Sequence, residues 1–202
     1  MKRVFLSGIL TAVFVVFSFS ASAQQKQITD INFATETNLA QYESQILDLC
    51  NWVLDSSSMI YTDRAIILKF LETGKVVLDW VHWTPTIFIN LLYASPLRSF
   101  DWASIDLDNI GMAAEVKYLL ELKKRDGTLN LDMGGVRGET LEEGTDANYA
   151  GFKSIIKFCN EHRESISKKN VKKVEKWAKM EAEGKLKEYV AKKMKKLIKK
   201  DR

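Results

Sequence analysis

Apolar side chains recur along most of this chain at intervals of three and four, the spacing that gathers them on one face of an α-helix. The start is the exception. Val4 to Phe19 is almost uninterrupted apolar sequence, preceded by Met1-Lys2-Arg3 and followed by Ser20-Ala21-Ser22-Ala23 and the polar Gln24-Gln25-Lys26. That order predicts a secretory signal peptide cleaved after Ala23. A membrane anchor needs about 20 apolar residues to cross a hydrocarbon layer of ~30 Å, and this run is shorter and gives way to small residues rather than basic ones. No cysteine lies beside the cleavage point to take a lipid. The expected mature chain is exported, to the periplasm or beyond.

Behind the signal, Thr37 or Asn38 can cap a helix to about Ser56 whose apolar face carries Leu39, Tyr42, Ile46, Leu49, Cys50 and Val53. A second helix is predicted from Thr62-Asp63 to a stop near Gly74. Val76 to Trp83, apolar on all sides, reads as a further short helix. Thr84-Pro85 places proline at a first helical position, where its missing N–H costs nothing, and that helix should end before Ser95-Pro96. Residues 97–107 read as a loop. The clearest helix of the middle region is capped by Asp106 or Asp108, turns Met112, Val116, Leu119 and Leu120 inward, and ends in Lys123-Lys124-Arg125 before Gly127. Thr128 to Gly144, rich in glycine, is expected to be a loop, and its length marks it as a functional candidate. Helices at Thr145 or Asp146 to His162, at 168–182 and at 185–200 complete the chain, the last two divided near Gly184. The expected fold is an all-α bundle of six to eight helices.

Only two prolines, with Lys, Glu, Leu and Ala abundant, agree with helix over a β-sandwich. The chain divides into a signal peptide (1–23), a helical body (24–165) and a Lys-rich helical segment (166–202) expected to pack on that body. The formal charge of +4 hides a segregation. Ser165 to Arg202 holds 15 Lys or Arg against 5 Asp or Glu, a net of +10, which leaves −8 on Gln24–Glu164.

In the last helix Leu186, Tyr189, Val190, Met194, Leu197 and Ile198 form an apolar stripe between lysines. Either the stripe docks on the body as a final core helix, or it lies on an anionic membrane surface with the lysines flanking it. An acidic protein is a further partner of the right charge. Nucleic acid is disfavoured by export. Lys192, Lys193, Lys195, Lys196, Lys199 and Lys200 are the candidate contact residues.

Catalytic and metal signals are scarce. The two histidines, His82 and His162, belong to no zinc-binding pattern. Asp106, Asp108 and Gly111 match three positions of a calcium loop, but Ile110 and Lys117 stand where oxygen ligands are required. No residue pattern calls for a cofactor. Cys159 and His162 share a helical turn but lack the third member of a catalytic thiol site. Cys50 and Cys159 are either a pair of core thiols or, in an oxidising compartment, a disulfide. Trp80, His82 and Trp83, with the 128–144 loop, are the one candidate for a small-ligand or active-site pocket.

The segments Trp80–Leu92 and Met112–Lys123, with the helical Lys-rich end, resemble small secreted all-helical proteins of Gram-negative bacteria that have no assigned function. The resemblance covers about residues 60 to 190 and implies an all-α fold, with no functional residues to carry over. The resulting expectation is an exported, non-enzymatic protein that acts through binding; the alternative is a ligand-binding protein or enzyme using the Trp80–Trp83 pocket.

Overall fold

The computed structural model describes residues 27–60, 63–83, 105–126 and 138–200. Those residues form an all-α bundle of six helices: α1 (Glu43–Ser56), α2 (Arg64–Trp83), α3 (Ile105–Asp126), α4 (Gly138–Glu161), α5 (Lys168–Ala182) and α6 (Leu186–Lys200). There is no strand among them, and no helix long and apolar enough to cross a membrane. Three short 3₁₀ turns, Ile28–Asp30, Phe33–Thr35 and Leu39–Tyr42, lead into α1, and a fourth, Ser57–Met59, follows it. The predicted helix at Thr84-Pro85, residues 97–104 of the predicted 97–107 loop, and the glycines Gly134 and Gly135 lie outside the described residues.

Helix α1 begins at Glu43 rather than at a Thr37 or Asn38 cap, and α3 begins at Ile105, inside the stretch expected to be a loop and ahead of the expected caps Asp106 and Asp108. Two larger differences concern α2 and α4. The predicted stop at Gly74 does not occur, because α2 continues through it to Trp83. Phe70, Thr73, Val76, Val77, Trp80 and Val81 keep one buried face across the glycine, so the amphipathic period outweighs its poor helix propensity, about 1 kcal/mol below alanine. Gly74 serves instead as the place where α2 and α3 come together. A Cβ there would sit 2.4 Å from Cγ of the buried Asn109. The second correction concerns α4, which begins at Gly138 rather than at Thr145 or Asp146. Gly138 and Gly144 are helical, so residues 138–144 of the segment expected to be a loop are helix. Thr145 is no cap: it is buried, and its hydroxyl donates to Sδ of Met194 at 3.7 Å.

The α5–α6 connection follows helix-end chemistry closely. The Ser167 hydroxyl oxygen accepts from the Asn170 backbone N–H and caps α5. At the other end Gly184 takes φ +68°. The N–H of Gly184 donates to Glu181 O at 2.9 Å and that of Lys185 to Met180 O at 2.8 Å, the paired bonds of a Schellman turn, which favours glycine at the left-handed position.

One hydrophobic core runs from Phe33 to Met194. Helix α3 lies inside it, with Leu107, Ile110, Met112, Ala113, Val116, Leu119 and Leu120 all buried, together with the polar Asn109 and Glu115. It packs against α1 and α2 on one side and most extensively against α4 on the other, and α4 in turn carries α5 and α6. Neither α1 nor α2 packs substantially on α5 or α6. The first helix pair therefore packs mainly on α3 and the last pair mainly on α4.

Candidate functional site

Helices α5 and α6 form a hairpin that turns its apolar residues to the core and its lysines outward. On α5, Asn170, Val174 and Trp177 are buried at offsets of four and three, and Lys168, Lys169, Lys172, Lys176 and Lys179 are exposed on the other faces. On α6, Leu186, Val190 and Met194 have no exposed surface, so each buries a side chain's full apolar area, on the order of 1.5–3 kcal/mol apiece. The ring of Phe152 on α4 is the anchor. Trp177 meets it edge-on at 4.4 Å and Tyr189 at 6.4 Å between centroids, in the favoured edge-to-face arrangement of aromatic pairs.

This docking decides between the two dispositions open to the last helix. The part of the stripe described here, Leu186 to Met194, is core. It is not free to lie face-down in a bilayer, and any contact made by α6 runs through its lysine face. Among the candidate contact residues, Lys192, Lys193, Lys195 and Lys196 are exposed; Lys199 and Lys200 belong to α6, but their side chains lie outside the described residues.

Some lysines are committed to holding the hairpin in place. Lys187 pairs with Asp146 on α4, and that bond holds its ammonium above the ordinary lysine range. Lys185 pairs with Glu183 at 2.8 Å across the turn, and Arg163 pairs with Glu175. The Tyr149 hydroxyl donates to Glu181 at 2.7 Å. Lys173 shows how densely charge is gathered. Half-buried with its ammonium 5.5 Å over the Trp177 ring, it is held below the usual lysine range by burial, then by Lys169, and also by Lys193, against the opposing pull of Asp108. The sequence pattern singles out lysines of α6 alone and does not show Lys173, which only the folded hairpin brings within electrostatic reach of Lys193.

The other candidate residues do not assemble into a site. Trp80 is fully buried, and its indole N–H donates to Leu39 O at 3.1 Å. His82 and Trp83 are exposed and meet edge-to-face at 4.9 Å. Val81 alone lies between Trp80 and His82, an offset that the helix turns to different faces, so among the described residues Trp80 and His82 share no wall of a pocket. Cys50 on α1 and Cys159 on α4 are buried free thiols rather than a disulfide. Burial pushes both up to about 12, offset slightly at Cys50 by Lys117. That shift is opposite to the one an attacking thiolate needs. His162 stacks on Phe158 at 4.6 Å, and its Nε2 meets Ser57 O at 2.7 Å, joining the end of α4 to the turn after α1. Among the described residues no group of three His, Cys, Asp or Glu side chains is arranged to hold a metal ion.

No family model, curated protein or solved structure matches the chain.

Proposed function

We propose that the protein is an exported, non-enzymatic helical protein that works by binding, and that the lysine face of the α5–α6 hairpin is its contact surface for an anionic membrane. The signal-peptide pattern of Met1–Ala23 supports export. The observation that carries the contact surface is the burial of Leu186, Val190 and Met194 beneath exposed Lys192, Lys195 and Lys196. The apolar stripe anchors the helix to its own core and leaves a rigid outer face that is positive along both arms.

Such a face adsorbs by charge and does not insert. Each lysine held near an anionic leaflet contributes on the order of 1 kcal/mol, and the attraction fades within a Debye length, about 8 Å at physiological salt. Losing three lysines removes on the order of 3 kcal/mol, or about 100-fold in affinity.

The test is co-sedimentation with vesicles of phosphatidylcholine, with and without phosphatidylglycerol, at low and high salt. Deleting 185–202 is the wrong variant, since it removes three core side chains. K192Q/K195Q/K196Q changes only exposed positions. Binding is expected to require phosphatidylglycerol, to fall with salt, and to drop about 100-fold in the triple variant. Equal binding to neutral vesicles, or a triple variant that binds like the parent, defeats the proposal.

A further inference from the structure

We propose that the open end of the α5–α6 hairpin, away from the Gly184 turn, holds a phosphomonoester between the ammoniums of Lys169, Lys173 and Lys193. The inference rests on the hairpin being the contact surface and names the headgroup chemistry that this end of it selects. Two aromatic rings fix the place. Trp177 on α5 and Tyr189 on α6 both stand edge-on to Phe152, which brings the two helices together at those residues. Lys173 precedes Trp177 by one helical turn and Lys193 follows Tyr189 by one, so both offsets lead away from Gly184. Each ammonium lies over its own ring, Lys173 at 5.5 Å from the Trp177 centroid and Lys193 at 5.6 Å from that of Tyr189, within the range of a cation–π contact. Lys169 stands exposed a further turn along the same face of α5.

Charge is gathered there against the fold's own electrostatic interest. Lys173 is half-buried, and its ammonium is disfavoured by burial, by Lys169 and by Lys193, with Asp108 acting in its favour. The first turn of α5 carries Lys168 and Lys169 and no acid, although a helix N-terminus favours negative charge. A phosphate dianion relieves both strains, because its terminal oxygens accept charge-assisted hydrogen bonds from several ammoniums at once. A monoester offers close to two charges and three such oxygens, whereas the diester of phosphatidylglycerol offers one charge. The ring faces hold two of the three ammoniums in place beforehand, which lowers the ordering cost of binding.

The test compares vesicles containing phosphatidic acid with vesicles containing phosphatidylglycerol, matched in zeta potential, and adds soluble glycerol 3-phosphate as a lipid-free arm. The parent should bind phosphatidic acid about tenfold more tightly. K169Q/K193Q, which changes only exposed positions, should erase that preference and keep the salt-dependent binding to phosphatidylglycerol. Nuclear magnetic resonance of the Lys173 side chain supplies a second readout. An anion favours the charged form, so glycerol 3-phosphate should move the Lys173 titration to higher pH, and sodium chloride at equal ionic strength should not. If Lys173 titrates identically with and without the phosphate, or K169Q/K193Q keeps the lipid preference, the inference is overturned and adsorption by charge stands. A Lys173 shift with no binding to either vesicle supports the subsite, assigns it to a free phosphomonoester, and defeats the membrane reading instead.

Discussion

Single residues in this protein do work that their type alone does not announce. Gly74 is the clearest case, a helix-interior glycine kept for the space that Asn109 occupies. On propensity, Gly74→Ala should gain up to about 1 kcal/mol. The clash should outweigh that, and the variant is expected to lose about 1–3 kcal/mol in denaturant unfolding. Pairing it with Asn109→Ala removes the obstacle, so the double variant should be more stable than the sum of the single effects implies. A lone Gly74→Ala that stabilises the protein rules out the close approach. The cysteines give a second expectation. With folded values raised from 9.0 to about 12, neither thiol ionises in the native state until well above the pH at which it would in the unfolded chain. The unfolded state then binds fewer protons, so the thiol contribution to stability is intact below about pH 9 and declines as pH rises from 9 toward 12. A thiol reagent at pH 8 should label neither cysteine in the native protein and both after denaturation; rapid native labelling contradicts the burial of Cys50 and Cys159.

At the scale of elements, the α5–α6 hairpin depends on one turn and one stripe. Gly184 sits at φ +68° with open space around it, so Gly184→Ala meets no neighbour and suffers only backbone strain, about 1 kcal/mol. Leu186→Ala leaves a cavity under α6 and should cost about 2–5 kcal/mol. Thermal unfolding of the two variants should rank in that order. If Leu186→Ala proves as mild as Gly184→Ala, α6 is not part of the core. The element scale also shows what pattern reading could see. The inward faces of α1, α3 and α4 follow the apolar period closely, and Cys50, Val116 and Phe152 are buried as their spacing requires. Helix ends were less legible. Glycine at 74 and 144 signals a break in isolation, but burial of the flanking face and contact with a neighbouring helix override a preference of about 1 kcal/mol.

At the scale of the molecule, charge is organised by the order of packing: acidic α1–α2, then the α3–α4 layer, then basic α5–α6. On the proposed reading, the lysine hairpin is the part of the protein that meets an anionic surface. Binding to anionic vesicles should therefore show a steep salt dependence while far-ultraviolet circular dichroism stays constant, since the adsorbing face is already built. A large gain of helix on vesicle addition would mean that α6 leaves the core to insert, and would contradict the packing of Val190 and Met194.

The sequence alone determined the class of fold and the sorting of charge, because both are linear properties: apolar period sets helix, and lysine content sets the sign of a segment. It also held the lysines of the proposed contact face on α6, since an amphipathic stripe names its own opposite side. What it left open was which neighbour each stripe would meet. Whether Leu186, Val190 and Met194 faced lipid or Phe152, whether Trp80 and His82 shared a surface, and whether Lys173 approached Lys193 depend on contacts between residues far apart in the chain. Only tertiary packing decides those, because burial is a property of the partner surface as much as of the helix that offers its own.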